Sequence, residues 1–272
     1  MKSNNSEIKS LVKDIVVSAK NTFSKNDIAV YIMGSLARGG FSEVSSDIDL
    51  GIVLNGSLDN VGAKIKRILS TAHENYPSVK NNISVFWGSI ESINGVIDAG
   101  RYPPFDRLDL IDHALLLSGK DIRKMLVRPT KKELEIASAS FSLGYLGNQE
   151  RIEEFHNCER IVEKGVVYVT KTILFPARFI YLEKTGKIAG NDVSYQYYLN
   201  NFSGSDAKLI EHGYFWRLKS LPEELDIVTE LLKNGLVILY SNFIDIYLKS
   251  MDSYGEYALK NELTQWRNNI TS

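Results

Sequence analysis

Two short apolar runs, separated by a loop of small and polar residues, set the strongest limit on how this chain folds. Residues 31–54 read YIMGSLARGGFSEVSSDIDLGIVL. The runs at 28–33 (IAVYIM) and 48–54 (IDLGIVL) are rich in β-branched and aromatic residues, which is typical of buried strands. Glycines and serines crowd the segment 34–46 between them, and such clusters mark a turn or loop. The sequence therefore predicts two strands joined by this loop.

The second run carries two aspartates, Asp47 and Asp49, one residue apart. Residues i and i+2 of a strand point to the same side, so both carboxylates project together while Ile48 and Leu50 face a core. Two like charges at this spacing repel, or one of them is protonated. A divalent cation removes the repulsion, and Mg²⁺ commonly binds one or two carboxylates together with substrate phosphates. The pair is thus a candidate magnesium site.

The turn that follows the first strand supplies a second candidate group. Gly34 and Ser35 stand directly after the apolar run. Glycine lets the backbone approach a ligand closely, and backbone N–H groups with a serine hydroxyl suit a phosphate. A magnesium ion and a triphosphate held together are what phosphoryl or nucleotidyl transfer requires.

The remaining pattern divides the chain into a mixed part and a helical part. Thr130, with Glu133 three residues later, is a helix-start signature, and no convincing strand alternation follows residue 130. We predict an α+β protein: a small mixed β-sheet domain with helices over 1–125, then an all-helical bundle over 126–272. Within the first domain the pattern predicts a helix at 6–24, strands at 28–33 and 48–54, a helix carrying Leu58, Val61, Ile65, Ile68 and Leu69, and a strand at 82–89.

Composition limits the classes of function. The net charge is −1 and hydrophobic residues make up 44% of the chain, the balance of a folded globular protein and not of a polycation. A single cysteine, Cys158, fits a reducing cytoplasm and forms no disulfide within the chain. The N-terminal residues lack the apolar stretch of a signal peptide, and no run approaches the ~20 apolar residues of a membrane span. We expect a cytoplasmic protein without membrane contact.

The motif GSLARGG…SSDIDLGIVL resembles the signature of the DNA-polymerase-β-like nucleotidyltransferase superfamily, and within it the bacterial small-molecule and minimal nucleotidyltransferases. The resemblance implies ATP or another nucleoside triphosphate as donor, and transfer of a nucleotidyl group to an acceptor hydroxyl with release of pyrophosphate. It implies metal ions on Asp47 and Asp49 and a triphosphate on Gly34 and Ser35. Two further residues of the motif, Arg38 and Ser46, would assist at the phosphates.

A looser resemblance extends further along the chain. GRYPPFDRLDLIDHALLLSGKD (100–121) and FPARFIYLEKTGKIAGNDVSYQYYL (175–199) are similar to segments of the streptomycin/spectinomycin-type aminoglycoside adenylyltransferases. In those enzymes a helical domain adds basic residues to the nucleotide, which by position suggests Arg178 and Lys187. A purely structural interpretation is open as well, since Gly186 fits the residue that ends a helix.

The superfamily usually places a third carboxylate on the next core strand, as a metal ligand or as general base. The corresponding position here is Asn82 or Ser84, depending on register, and neither is acidic. A substitute acid from another element, a two-aspartate site that needs little base assistance, and a chain that binds nucleotide without catalysis all remain open. The nearest acids that follow are Glu91, Asp98, Asp106 and Asp109.

Three functions follow from these features. The first is magnesium-dependent transfer of a nucleoside monophosphate, AMP by preference, to a small hydroxylated acceptor such as an aminoglycoside-like antibiotic. The second is a toxin–antitoxin type of nucleotidyltransferase acting on tRNA or a protein. Its helical partner domains often carry an Arg-x4–6-His ribonuclease motif, a spacing that Arg151 and His156 match. The third is a non-catalytic nucleotide-binding module.

Overall fold

The computed structural model describes residues 4–23 and 28–272. These residues form two compact units that divide between Pro129 and Thr130. The predicted domains, 1–125 and 126–272, meet close to this point. The domain division at 125/126 stays a prediction.

The first unit is built on a mixed β-sheet flanked by helices. Its elements in chain order are α1 (Ser6–Thr22), β1 (Ile28–Ile32), α2 (Gly34–Arg38), β2 (Ile48–Leu54), α3 (Val61–Asn75), β3 (Ile83–Gly88), α4 (Ile90–Ile93), α5 (Pro104–Asp112) and β4 (Leu115–Ser118). Within the described residues the sheet has four strands in the order β3-β2-β1-β4. β1 runs antiparallel to β2 and β4, while β2 runs parallel to β3.

The two faces of this sheet bury different sets of side chains. Val30 and Ile32 belong to a core cluster that also holds the buried stripes of α1 and α3. Tyr31 and Met33 belong to a second cluster on the other face, together with Leu110 of α5. This alternation along β1 is what a strand buried on both sides requires. One face of the sheet packs against α1 and α3, and the other face, against which α5 packs, carries the candidate site.

Helix α1 begins as a capped helix. The Asn5 side chain accepts hydrogen bonds from the N–H groups of Glu7 and Ile8, which satisfies two donors that the first turn leaves without partners. The helix ends at Thr22, two residues before the predicted end. Residue 24 itself lies outside the described residues.

The first unit differs from the prediction in several places. Leu58, which the pattern assigns to the second helix, precedes α3, which begins at Val61. The loop predicted over 34–46 contains the five-residue helix α2. The strand β4 at Leu115–Ser118 was not expected, because three consecutive leucines give no polar–apolar alternation. These leucines, Leu115, Leu116 and Leu117, are 38–40% exposed at the edge of the sheet, so they lack the burial that makes a strand recognisable from its pattern.

The second unit is helical throughout the residues that the structure describes, as predicted. Its helices are α6 (Lys131–Leu146), α7 (Gln149–His156), α8 (Glu159–Glu163), α9 (Val166–Thr185), α10 (Asn191–Asn201), α11 (Ser205–Leu218), α12 (Leu225–Tyr254) and α13 (Tyr257–Thr271). The predicted start at Thr130 is confirmed, since its side chain accepts the Glu133 N–H and the Glu133 carboxylate accepts the Thr130 N–H. The α+β fold class is therefore confirmed.

Helix boundaries in the second unit differ in two places. Apolar residues at helical spacing over 152–173 favour one long helix, but the segment is divided among α7, α8 and α9, and Gly165 takes a φ of 83° just before α9. Ser220, Pro222 and Glu223 are typical of a helix start, whereas α12 begins at Leu225. Gly186 ends α9 with a φ of 67°, as the structural interpretation of that glycine required.

Helix α12 is the longest helix among the described residues. It spans 30 residues with a mean hydropathy of 1.2 over its most apolar window, and half of that window is buried. It is long and apolar enough to cross a membrane by length and composition alone. A buried core helix of a helical bundle has the same length and composition. Its buried side chains, among them Leu236, Tyr240 and Phe243, agree with a place in the core of the second unit.

Cys158 provides a direct test of burial in the second unit. Its side chain is only 2% exposed, and burial raises the pKa of the thiol to about 11. Because the thiolate is the reactive form, we expect the folded protein to react negligibly with Ellman's reagent at about pH 8 and to release one equivalent of product in concentrated guanidinium chloride. Since the chain has one cysteine, rapid reaction of the folded protein would contradict this packing.

Candidate active site

The candidate site lies where β1 ends and β2 begins, two chain segments that the sheet register holds side by side. Ile32 pairs with Leu50, and the next N–H along β1, that of Met33, is donated to the carbonyl of Asp49 at 2.9 Å. The residue after Met33 therefore stands beside the aspartate pair. Strand pairing, and not closeness in sequence, brings the turn and the carboxylates together.

Gly34 opens the turn and could not carry a side chain there. Its φ is 60°, in the left-handed region that favours glycine. A Cβ at this position would lie 2.1 Å from Oδ2 of Asp49. The Asp49 carboxylate thus lies directly against the Gly34 backbone, which gives the glycine of the motif a steric reason.

The aspartate pair occupies the face of β2 opposite its apolar residues. Ile48, Leu50 and Ile52 belong to the cluster with α1 and α3, so Asp47 and Asp49, at alternating positions, lie on the other side of the sheet. Both aspartates are partly exposed. Asp47 directly precedes β2 and Asp49 lies within it, and the projection of both carboxylates toward one metal ion stays a prediction.

The register of β2 and β3 shows which of positions 82 and 84 stands opposite the aspartates. In the parallel pairing of β2 with β3, Ser84 stands opposite Asp49, whereas Asn82 precedes the strand and accepts the Ile48 N–H through its carbonyl at 2.7 Å. Paired residues of neighbouring strands share a face, so Ser84 lies beside the aspartates. A hydroxyl therefore occupies the position where a third acid on this strand would stand.

Asp109 on α5 reaches the same turn from a distant part of the chain. Its Oδ2 accepts the Gly34 N–H at 2.7 Å, and its Oδ1 forms an ion pair with the Arg38 guanidinium. The sequence places Asp109 among four acids that follow β3 and gives no signal that separates it from the others. Because Gly34 donates to Asp109, the donors that the turn can offer a phosphate begin with the N–H and hydroxyl of Ser35.

Ser46, the other predicted helper, is bound within the loop. Its hydroxyl oxygen accepts the Ser42 N–H at 2.9 Å, and its own N–H is donated to the Ser42 carbonyl at 2.9 Å. The Asn81 amide donates to the Ser46 carbonyl at 2.7 Å. These hydrogen bonds of Ser46 hold the loop segment that leads into Asp47. Contact of Ser46 with a phosphate stays a prediction.

Tyr102 is a neighbour of the site that the residue pattern did not single out. Its hydroxyl lies 3.1 Å from Sδ of Met33, and a Cβ on Gly51 would lie 2.3 Å from that hydroxyl. Burial, reinforced by the charges of Asp106 and Asp109, raises the pKa of Tyr102 well above its usual range. Tyr102 therefore stays a neutral phenol beside the sheet and does not serve as a base at neutral pH.

The remaining predicted residues belong to the second unit. The Arg178 guanidinium lies over the Phe175 ring, 5.7 Å from its centroid, and Lys187 is exposed in the turn after α9. Their contribution to nucleotide binding stays a prediction.

Arg151 and His156, which match the spacing of the ribonuclease motif, form hydrogen bonds with other residues of the second unit. Arg151 is buried and donates to Glu154 at 3.0 Å and to Thr172 at 3.1 Å. His156 bonds the carbonyl of Asn269 at 3.0 Å. These contacts give Arg151 a structural role, and they do not favour a ribonuclease site.

The donor set fits a magnesium ion that completes its shell with phosphates. In the described part of the chain, no group of three or more histidine, cysteine or acidic side chains is arranged to hold a metal. Two hard carboxylates on one strand face, Asp47 and Asp49, are nevertheless what Mg²⁺ uses when a substrate supplies further oxygens. Gly34 carries no Cβ, which lets the Asp49 carboxylate lie directly against the turn that is predicted to bind the phosphates.

Comparison with known proteins agrees with this geometry. Residues 10–94 match the family model described as a nucleotidyltransferase domain. The fold is similar to that of the spectinomycin adenyltransferase AAD(9) from Enterococcus faecialis, solved with ATP and spectinomycin: the TM-score is 0.58 at 15% identity, over 83% of this chain and 97% of that one. No curated protein sequence matches the chain.

The family match confirms the superfamily and the enzyme class that the motif indicated, and the structural match shows a similar fold. The matched residues include the turn at Gly34 and both aspartates. Residues 10–94 of the first unit are therefore a nucleotidyltransferase domain, in a chain whose fold resembles that of a spectinomycin adenyltransferase.

Proposed function

We propose that this protein transfers a nucleoside monophosphate, AMP from ATP, to a hydroxyl of a small acceptor in a magnesium-dependent reaction. The observation that carries the proposal is the packing of the Asp49 carboxylate against the backbone of Gly34. It joins a predicted metal ligand to a predicted phosphate-binding turn. An aminoglycoside-like antibiotic is the proposed acceptor, since the similar enzyme was solved with ATP and spectinomycin.

The residues of the first unit divide the chemistry among them. Asp47 and Asp49 would hold Mg²⁺, which when bound neutralises phosphate charge and polarises the reacting phosphoryl group. Ser35 would donate its N–H and hydroxyl to the triphosphate. A guanidinium has about five N–H donors, so Arg38 can bond a phosphate while it remains paired with Asp109.

The reaction balances as a displacement at the α-phosphorus. The acceptor hydroxyl oxygen bonds to that phosphorus, the bond to the bridging oxygen breaks, and pyrophosphate leaves with the electron pair. The hydroxyl proton must pass to a base. Ser84 stands beside Asp49 and is not a base at neutral pH, so the proton passes to solvent water or to a carboxylate elsewhere at the site.

A second candidate function is a module that binds a nucleoside triphosphate without transfer. One observation favours it: Ser84, and not an acid, stands opposite Asp49. The variant Ser84→Glu separates the two, because it restores an acid beside Asp49. A wild-type protein that binds ATP without transfer, and a variant that gains transfer, would favour the binding module. Transfer by the wild-type protein would exclude it.

The single cysteine, Cys158, is buried and reduced, which is consistent with the proposed cytoplasmic location. No contact of the described residues favours RNA or protein as acceptor. The assay below includes both, because their modification is the alternative activity of the same site.

Transfer itself is tested with radiolabelled nucleotides. The protein is incubated with Mg²⁺ and, in turn, each of the four nucleoside triphosphates labelled at the α-phosphate. Each mixture contains one of three acceptors: an aminoglycoside panel that includes spectinomycin, total tRNA, or a cell protein extract. We expect label from ATP on a small molecule, with release of pyrophosphate. Label on RNA or protein would identify the macromolecular alternative, and no label on any acceptor would contradict the proposal.

Substitution of the metal ligands tests the site within the same assay. Asp47→Asn and Asp49→Asn should each lower transfer by about a thousandfold, because loss of metal-based charge stabilisation is worth several kcal/mol. Asp59→Asn is the matched control, since Asp59 is an exposed aspartate of the same unit that accepts only from Ser57. Full activity of Asp47→Asn would show that the metal assignment is wrong.

Substitution of the turn glycine tests the contact that carries the proposal. Gly34→Ala places a Cβ against the Asp49 carboxylate and should lower transfer about a hundredfold, as a displacement of about 1 Å at a reacting site does. Gly144→Ala is the control, because Gly144 lies within α6 with open space around it. It should leave transfer unchanged and raise the free energy of unfolding by about 0.5–1 kcal/mol. Equal activity of Gly34→Ala and wild type would contradict the packing.

A further inference from the structure

One buried carboxylate holds both ends of the helix that forms the turn. Asp109 is 4% exposed. It accepts the N–H of Gly34, the first residue of α2, at 2.7 Å. It also pairs with the guanidinium of Arg38, the last residue of α2. The two residues that it binds are 75 and 71 positions away in sequence.

Helix α2 needs such support. It has five residues, and no side chain caps its start at Met33. A helix this short is not stable alone, because nucleation costs more than its few hydrogen bonds return. Asp109 satisfies one of the N–H groups that have no partner within the helix, and its charge fixes the guanidinium at the other end.

Helix α5 is itself held firmly enough to position this carboxylate. It begins with Pro104, which suits the first turn of a helix. Leu110 is buried in the cluster with Tyr31 and Met33. The Arg107 guanidinium donates to the Ile93 carbonyl at 3.0 Å within the unit. Asp109 therefore projects from an anchored helix toward the turn.

Asp109 is not arranged as a third metal ligand. No group of three acidic, histidine or cysteine side chains suited to a metal occurs among the residues that the structure describes. Both oxygens of Asp109 are engaged by Gly34 and Arg38. Its recorded contacts are with the two ends of α2, Gly34 and Arg38, and not with Asp47 or Asp49.

We propose that Asp109 is a positioning residue that fixes the Gly34–Ser35 turn and the Arg38 guanidinium for the triphosphate. This inference rests on the proposed function, because it assigns Asp109 a role in holding the nucleotide donor. It predicts that loss of Asp109 weakens nucleotide binding, and raises KM for ATP more than it lowers kcat.

The test compares three variants by titration with a fluorescent ATP analogue and Mg²⁺. Asp109→Ala should raise Kd about tenfold to a hundredfold, as loss of a charge-assisted hydrogen bond does. Asp109→Asn should give a smaller rise, since its amide oxygen still accepts the Gly34 N–H while the ion pair is lost. Asp112→Ala is the matched control: it removes an aspartate–arginine pair with Arg128 from the same helix and should leave Kd unchanged.

Several outcomes overturn the proposal. A Kd for Asp109→Ala equal to that of wild type would limit Asp109 to folding, even if the melting temperature falls. A lower Kd would show that Asp109 competes with the triphosphate instead of preparing its site. If Asp109→Ala does not fold, Asp109→Asn decides, and an unchanged Kd for that variant overturns the proposal.

The proposed function and the Asp109 proposal can fail separately. Binding of the analogue by wild type without transfer to any acceptor contradicts the proposed function, while the change in Kd still decides the role of Asp109. Transfer by wild type with KM for ATP unchanged in Asp109→Ala contradicts the role of Asp109 alone. Absence of any binding by wild type contradicts both.

Discussion

The structure of the candidate site depends on one close approach, that of the Asp49 carboxylate to the backbone of Gly34. A Cβ on Gly34 would lie 2.1 Å from a carboxylate oxygen, so only glycine permits it. The hydrogen bond from Met33 to the Asp49 carbonyl fixes the two strands beside each other at this point. The Gly34–Ser35 turn and the Asp47–Asp49 pair are thereby brought together by antiparallel pairing and by the absence of a side chain on Gly34.

The central part of the fold could be predicted because its signals are local. The strands around the motif are short apolar runs, and the aspartates alternate with buried residues along β2. The helix start at Thr130 and the helix end at Gly186 have capping signatures of a few residues. Strand β4 and helix α2 were not predicted. The first is an edge strand of partly exposed leucines, and the second is stabilised from a distant segment.

The chemical details of the site depended on long-range geometry that the sequence does not contain. Register decides whether position 82 or 84 stands beside the aspartates, and the parallel pairing of β2 and β3 selects Ser84. Four acids followed β3 in the sequence, and only the position of α5 distinguishes Asp109 by its contacts with Gly34 and Arg38. The motif therefore predicts the metal and phosphate residues, while packing reveals the contacts of Asp109 with the turn between them.

The most direct test of the central claim is the binding of a divalent cation together with a triphosphate. Mn²⁺ replaces Mg²⁺ at oxygen-ligand sites, and its electron paramagnetic resonance spectrum reports free and bound ion. With a non-hydrolysable ATP analogue present, wild type should bind Mn²⁺ more tightly than the analogue does alone, and Asp47→Asn and Asp49→Asn should lose this gain. Equal binding by wild type and both variants would show that these aspartates do not form the metal–triphosphate site.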